Sequence, residues 1–158
     1  MKIIVPIVLF IVILFTACSP SAIYKEDFDV DENGWNYTDT LSYQFDILNE
    51  HENYNLLINL KYNKSYKYNN IFFFVDIEAP NLQNYRDTIE CIMANPSGRW
   101  LGKISGDYVE HQFMYRYKVN FPEKGNYRVK IQQAMRDSLL KKIASVGIEL
   151  RTFEELKK

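Results

Sequence analysis

The stretch Leu41-Ser42-Tyr43-Gln44-Phe45-Asp46-Ile47 alternates strictly between large apolar side chains and polar ones. Successive side chains of an extended strand point to opposite faces of a sheet, so this period of two gathers the four apolar side chains on one face. We therefore predict a β-strand with one face in the protein core and the other in water.

The same period of two recurs along the rest of the chain, between segments rich in turn-forming residues. The twelve tyrosines and ten phenylalanines also suit the pleated, half-buried surface of a sheet. Further strands are predicted at residues 54–62, 71–78, 85–93, 113–121, 127–131 and 146–150.

Three segments support more specific predictions. Phe72 and Phe74 add apolar side chains to the outward face of the strand at 71–78, so we expect this strand in the middle of the core. The turn Pro122-Glu123-Lys124-Gly125 predicts a β-hairpin between the strands on either side of it. Residues 134–142 have a composition that predicts a turn or two of helix.

Together these patterns predict an all-β fold. About eight strands at hairpin spacing, with no long helices between them, are typical of an antiparallel two-sheet β-sandwich that resembles a jelly roll. A closed β-barrel is the alternative.

The first eighteen residues have the features of a lipoprotein export signal. Lys2 is followed by the uncharged run Ile3 to Phe15, and Thr16-Ala17-Cys18 ends it. The run is shorter than the ~20 residues that a membrane-spanning helix needs, and small residues before a cysteine suit lipoprotein signal peptidase. We predict that residues 1–17 are removed and that Cys18 receives a diacylglycerol thioether and an acyl chain such as palmitate. The alternative is an uncleaved anchor helix.

Removal of residues 1–17 from the 158-residue chain leaves 141 residues, the size of one domain. Residues 18–22 are predicted to be a short lipidated tether, and residues 23–158 a single β-sandwich domain. With Lys2 removed, 18 Lys and Arg stand against 20 Asp and Glu, and the mixing of both signs argues against nucleic-acid binding. Cys91 is predicted to be a small buried hydrophobe.

Catalytic and metal-binding residue types are sparse. His51 lies in a polar turn and His111 begins a strand, and neither has a recognisable nucleophile motif beside it, so we predict no enzymatic activity and no cofactor. The segment Asp29 to Gly34 matches the first places of a calcium-binding loop. Its twelfth place is Thr40, where a carboxylate is needed, so an ordinary Asx-rich turn is predicted instead.

The two tryptophans, Trp35 and Trp100, are candidates for binding, because an exposed indole on a β-sandwich can stack against a sugar ring. Trp100 and its neighbour Arg99 are of the types most enriched at interface hot spots, and they lie in a long irregular segment at residues 94–108. We predict partner binding through the loop from Asn95 to Gly106; packing of the loop into its own core is the alternative. The predicted contact residues are Asn95, Pro96, Arg99 and Trp100.

Three short triads resemble an O-glycosylation signal of some bacterial envelope proteins, in which Asp is followed by Ser or Thr and an aliphatic residue. They are Asp39-Thr40-Leu41, Asp87-Thr88-Ile89 and Asp137-Ser138-Leu139. A glycan at any of them requires that the hydroxyl side chain face outward.

Several blocks, in order along nearly the whole mature chain, resemble the gliding-motility lipoprotein GldH family. They are Tyr54-Asn55-Leu56-Leu57-Ile58-Asn59-Leu60, Asn70-Ile71-Phe72-Phe73-Phe74-Val75, Met93-Ala94-Asn95-Pro96-Ser97-Gly98-Arg99-Trp100-Leu101-Gly102, Phe121-Pro122-Glu123-Lys124-Gly125-Asn126-Tyr127 and Gln132-Gln133-Ala134-Met135-Arg136, together with Trp35 and the signal that ends at Cys18. The resemblance implies an envelope lipoprotein needed for surface gliding, a process tied to the type IX secretion machinery. It brings no catalytic residues, and it implies a binding or scaffolding role among envelope proteins; a carbohydrate-binding lipoprotein is the alternative.

The residues after Cys18 bear on the location of the protein. Ser19 is not the acidic residue associated with retention in the inner membrane, which favours the outer membrane. The Lys25-Glu26-Asp27 cluster lies too far from the cysteine to match the signal linked to surface display, which favours the periplasmic face.

Overall fold

The computed structural model of the chain describes residues 22–154. This part of the chain is all-β, with eleven strands and no helix, and so contains no helix that could cross a membrane. The predicted signal peptide, Cys18 and residues 155–158 lie outside the described residues. The strands are β1 (Ala22–Asp29), β2 (Trp35–Asn36), β3 (Thr40–Ile47), β4 (Asn53–Asn63), β5 (Asn70–Glu78), β6 (Asn84–Ile92), β7 (Lys103–Ser105), β8 (Tyr108–Asn120), β9 (Gly125–Gln133), β10 (Leu139–Leu140) and β11 (Ile143–Thr152).

The strands form two main antiparallel sheets and one short ribbon. One sheet has the order β1-β11-β4-β8-β7, the other has the order β3-β9-β5-β6, and β2 pairs with β10. Without the three short strands β2, β7 and β10, eight long strands remain, in the order of a jelly roll. The prediction of a jelly-roll-like β-sandwich is confirmed. The barrel alternative is wrong, because no ladder joins the two sheets within residues 22–154.

The core forms where the apolar faces of the two sheets meet. The stretch quoted first becomes β3, and its side chains at 43, 45 and 47 are buried while those at 42, 44 and 46 are exposed. Tyr43 reaches across the core, and its hydroxyl donates a hydrogen bond to the carbonyl oxygen of Val146 on the opposite sheet at 2.7 Å. Alternation along each strand therefore builds the core that the sequence predicts.

Strand β5 is an inner strand of the four-stranded sheet, as expected for a strand in the middle of the core. It pairs with β6 on one side and with β9 on the other. Phe73 on its inner face is fully buried, while Phe72 and Phe74 on its outer face are half-buried. The guanidinium group of Arg86 covers Phe74, at 5.3 Å from the ring centre. The outer face of β5 is therefore covered by long side chains.

The prediction of a hairpin at Pro122 to Gly125 is wrong. Strand β8 pairs with β4, whereas β9 pairs with β3 and β5, so the turn carries the chain from one sheet to the other. Phe121 is buried just before the turn, with its ring 5.7 Å from Tyr54 and 5.8 Å from Phe45. The Phe121 side chain therefore fills the space between the two sheets. Alternation within β8 and β9 does not show which strand each of them pairs with, and so it could not exclude a hairpin.

The prediction of helix at residues 134–142 is also wrong. The Gln133 side chain accepts a hydrogen bond from the Met135 amide at 2.8 Å and donates one to the Asp137 carbonyl at 2.8 Å, which folds the segment into a compact loop. Leu140 is then buried in β10, paired with Trp35. Tertiary burial and the Gln133 bonds therefore override a helix-like composition.

Residues 94–108 are less irregular than predicted, because they include β7.

Each long strand runs the whole length of the sandwich, so the connections lie at two opposite ends. The proximal end is defined as the one where Ala22 lies, paired with Arg151 near the end of β11. It also holds three short connections, at residues 48–52, 79–83 and 121–124. The opposite, distal end holds the connections at residues 30–39, 64–69, 93–107 and 134–142.

Candidate interaction site

The predicted partner-binding loop lies at the distal end and folds as a tight turn. Ala94 and Trp100 form an isolated antiparallel bridge. The Asn95 amide donates to the Arg99 carbonyl at 2.9 Å, and the Leu101 amide donates to the Met93 carbonyl at 2.7 Å. Backbone hydrogen bonds therefore close the turn on both sides of its tip.

Asn95 organises the tip of this turn. Its side-chain oxygen accepts hydrogen bonds from the amide of Ser97 at 3.1 Å, from the hydroxyl of Ser97 at 2.8 Å and from the amide of Arg99 at 2.9 Å. Gly98 takes the left-handed backbone conformation, with φ of 80°, that the turn requires. The Asn95 side chain is therefore used within the loop itself, in an Asx turn.

The two residues predicted as the hot spot occupy different environments. Arg99 is exposed, and within residues 22–154 its guanidinium has no ion-pair or hydrogen-bond partner. Trp100 is half-buried, and its ring packs edge-on against Tyr62 with centroids 5.2 Å apart. Tyr62 in turn donates a hydrogen bond to the Met93 carbonyl at 3.3 Å. The loop is thus rooted in the core through Trp100 and offers Arg99 to solvent.

The neighbourhood of the loop contains apolar side chains that the sequence did not single out. Pro96 and Ser97 are exposed at the tip. Ile92 precedes the tight turn at residues 95–99, while Ile104 and Tyr108 come after that turn, and all three are exposed apolar residues. They occupy outward positions of β6, β7 and β8. In the sequence, such residues can be recognised as apolar residues at positions where the alternating pattern predicts polar ones.

Trp35 cannot take part in stacking against a sugar. Its exposed fraction is 2%, and its ring nitrogen donates a hydrogen bond to the Asp39 carbonyl at 2.9 Å. The ring packs against Phe73 at a centroid distance of 5.9 Å. Trp35 therefore closes the core beneath the β2–β10 ribbon, and the carbohydrate-binding alternative loses one of its two indoles.

The histidines lie far apart in the fold. His51 is exposed at the proximal end, with its ring nitrogen 3.7 Å from the Glu50 carboxylate. His111 lies near the distal end, paired with Leu60 and 4.0 Å from the Phe113 ring, and burial lowers the pKa of its imidazole. The structure does not bring the two histidines together, and it gives neither of them an acid and a nucleophile as partners within the described residues.

Cys91 is buried, as predicted, and burial raises the pKa of its thiol to about 12. A thiol with such a pKa is almost fully protonated at neutral pH and reacts slowly, because the thiolate is the nucleophile. Cys91 is therefore part of the core of the four-stranded sheet.

The calcium-like segment forms the predicted Asx turn. The Asp31 side chain accepts a hydrogen bond from the Asn33 amide at 2.7 Å, and the Gly34 amide donates to the Asp31 carbonyl at 2.9 Å. Its flanking elements are β1 and β2 rather than helices. No group of three or more His, Cys, Asp and Glu side chains that could hold a metal ion occurs in residues 22–154.

The three predicted glycosylation positions meet the geometric requirement for modification. Thr40 in β3, Thr88 in β6 and Ser138 in the loop before β10 are all exposed. Their glycosylation stays a prediction.

One buried carboxylate lies on the outer face of the five-stranded sheet. Glu149 in β11 forms an ion pair with Arg151, and its carboxylate also accepts a hydrogen bond from the Gln112 side chain at 3.0 Å. Burial alone would raise the pKa of Glu149, but Arg151 and Lys25 outweigh it and lower that pKa. These partners stabilise the ionised form of Glu149 within the sheet.

Two curated proteins are similar to this chain over most of its length. A gliding motility lipoprotein GldH homolog of Christiangramia forsetii is 36% identical over 130 residues, which cover 82% of this chain and 79% of that protein. The gliding motility lipoprotein GldH of Flavobacterium johnsoniae is 35% identical over 132 residues, which cover 84% of this chain and 81% of that protein.

Among solved structures, a family GH115 4-O-methyl-α-glucuronidase matches 86% of this chain and 18% of its own, at 9% identity and a TM-score of 0.44, a likeness too weak to bear on fold or function. The family described as GldH lipoprotein matches residues 22–150, which contain the eight long strands of the sandwich except the last two residues of β11. The chain therefore belongs to the GldH lipoprotein family.

Proposed function

We propose that this protein is a non-catalytic binding component of the gliding motility machinery, or of the type IX secretion machinery linked to it, held in the cell envelope by a lipid anchor on Cys18. The names of the two relatives support the link to gliding motility. The observation that carries the binding role is the distal loop, where an exposed Arg99 lies on a turn that is fixed by Asn95 and Trp100.

The lipid anchor follows from the sequence signal and from membership of a lipoprotein family. Residues 1–17 are the signal peptide, residues 18–22 the tether and residues 23–158 a single domain in this proposal. Strand β1 begins at Ala22, only four residues beyond Cys18. Such an anchor would hold the proximal end near the membrane, while the distal loop would face away from it.

The location proposed for the protein is the periplasmic face of the outer membrane. Ser19 supports the outer membrane, because it is not the acidic residue associated with retention in the inner membrane. The Lys25-Glu26-Asp27 cluster lies within β1, paired along β11, so these residues are part of a regular strand rather than of the exposed tether. This placement supports the periplasmic face over surface display.

The proposed partner is another envelope protein that offers acceptor groups to Arg99. A guanidinium donates in a planar fork that suits carboxylates, and an arginine beside an aromatic ring is a common hot-spot pair. Pro96 and the exposed edge of Trp100 would form the apolar part of the contact. The preformed turn lowers the entropy lost on binding, because its backbone is already ordered.

Crosslinking in cells, followed by affinity capture of the tagged, lipidated protein, tests this proposal. Arg99→Ala should abolish or strongly reduce the capture of envelope partners. Arg136→Ala is the matched control, since Arg136 is also an exposed arginine in a distal connection. Equal recovery of gliding or secretion components with both variants would contradict the role of the loop, and recovery of none with the native protein would contradict the binding function.

A further inference from the structure

The connection between β5 and β6 contains a leucine in an unusual backbone conformation. The Ala79 amide donates to the Gln83 carbonyl at 2.8 Å and the Leu82 amide donates to the Ala79 carbonyl at 3.0 Å, which closes a short turn. Leu82 has a φ of 67°, the left-handed conformation that glycine usually occupies in hairpin turns. Its side chain is 91% exposed. Neither the backbone conformation of Leu82 nor the burial of its side chain therefore stabilises the fold. A residue of that kind is a candidate for function.

A second exposed leucine lies at the same end of the sandwich. Leu48, in the connection from β3 to β4, is 80% exposed. Leu48 and Leu82 are the two most exposed large apolar side chains of residues 22–154. Both belong to connections at the proximal end, where Ala22 also lies.

Side-chain contacts join the three proximal connections to one another. Lys124 forms an ion pair with Glu50 at 3.0 Å, which joins residues 48–52 to residues 121–124. The Asn81 side chain donates to the Glu123 carboxylate at 2.6 Å, which joins residues 79–83 to the same connection. Lys124 offsets the charge of Glu50, which lessens the repulsion of that carboxylate from an anionic surface.

The number of residues between Cys18 and β1 limits the distance between the proximal end and the membrane. The four residue steps from Cys18 to Ala22 span at most ~14 Å when fully extended. Part of that length must cross the lipid headgroup layer, which is on the order of 6 Å thick on each side of a bilayer. An acylated Cys18 would therefore hold Ala22, and the proximal end with it, within about 10 Å of the bilayer surface.

We propose that the proximal end is a second membrane-contact surface, in which Leu48 and Leu82 insert into the headgroup region of the leaflet that holds the acyl chains. This inference rests on the proposed lipid anchor at Cys18. Exposed leucines on turn tips suit a lipid interface, because a bilayer accepts apolar side chains without requiring a shaped pocket. The contact would fix the tilt of the sandwich and would direct the Arg99 loop away from the membrane.

Site-specific fluorescence on the lipidated full-length protein in phospholipid vesicles tests this contact. Leu82→Cys and, separately, Leu48→Cys are labelled with an environment-sensitive dye, and quenching by lipids that carry a headgroup spin label is measured. Acylation blocks the thiol of Cys18, and the buried Cys91 is unreactive at neutral pH, so the label goes to the introduced cysteine. Ile104→Cys is the matched control, as an exposed apolar residue of β7 at the distal end.

We expect a blue-shifted emission and loss of intensity with quencher lipid at positions 48 and 82, and neither change at position 104. Vesicle-bound protein whose labels at 48 and 82 are quenched no more than the label at 104 would overturn the inference and leave the anchor intact. Crosslinking of position 82 to a second protein instead of to lipid would also overturn it. Protein that fails to sediment with vesicles would overturn the lipid anchor, and the inference with it.

Discussion

The two ends of this sandwich are built in different ways from the same eight strands. At the proximal end, short connections are tied to one another by Lys124 with Glu50 and by Asn81 with Glu123. At the distal end, longer connections are also joined to one another, by the β2–β10 ribbon and by Lys67 with Asp137, and one of them folds its own turn around Asn95. Cross-linked short turns hold a few apolar side chains in a common surface, whereas a long connection can form its own turn and present a specific polar group.

The two ends therefore suit two kinds of contact. The proposed membrane contact uses the exposed side chains of Leu48 and Leu82 at the proximal end. The proposed partner contact uses the exposed Arg99 at the distal end, on a loop that Trp100 anchors in the core. The strands between the two ends would separate these two proposed contacts along the length of the molecule.

The largest expected effect concerns how the distal end closes the core. We predict that Trp35→Ala lowers the free energy of unfolding by about 3–5 kcal/mol, because it leaves a cavity against Phe73 and removes the hydrogen bond to Asp39. Urea denaturation followed by far-UV circular dichroism measures this change. Tyr37→Ala, at a neighbouring residue that is 53% exposed, should change stability by no more than roughly 0.5 kcal/mol. Equal effects of the two substitutions would show that the ribbon does not close the core.

A smaller effect is expected at the Asn95 turn, where it tests whether the distal loop is folded by its own side chain. Asn95→Ala removes the acceptor of three hydrogen bonds and should destabilise the protein by about 1 kcal/mol. Amide hydrogen exchange at Arg99 should become faster, since its amide loses its side-chain partner. Asn95→Asp keeps an acceptor at the same place and should retain protection; loss of protection in both variants would argue against the Asx turn.

The smallest effect is expected at Leu82, and it is a gain in stability. Leu82→Gly relieves a left-handed backbone, with φ of 67°, that side chains rarely adopt, and should stabilise the protein by about 0.5–1 kcal/mol. Urea denaturation measures the gain. Leu48→Gly is the control, because Leu48 is not among the residues with a positive φ and should give no gain. A loss of stability in Leu82→Gly would mean that the leucine side chain contributes to the fold.

Much of the sandwich could be predicted from the sequence, because the signal for burial is local. Tyr43, Phe45 and Ile47 are buried as their spacing predicts, and β5 is an inner strand, as expected for a strand in the middle of the core. Cys91 is buried as expected. Each of these results depends on alternation within one strand, which needs no knowledge of the partner strand.

The candidate site could be predicted only in part. The sequence singled out the loop around Arg99 and Trp100, but it did not separate a residue rooted in the core from one exposed to solvent. That distinction depends on Tyr62, a residue about forty positions away in the chain, which packs against Trp100 in the folded state. Trp35, a candidate from the same reasoning, is buried because the distant β10 covers it.

The sequence by itself determined that this is an all-β member of the GldH lipoprotein family, since alternation and short motifs are local features. Only the tertiary structure decided that the turn at Pro122 crosses between sheets, that residues 134–142 form a loop and a strand, and that Leu48 and Leu82 share one end. These outcomes depend on contacts between residues far apart in the chain, and such contacts leave no periodic trace in the sequence.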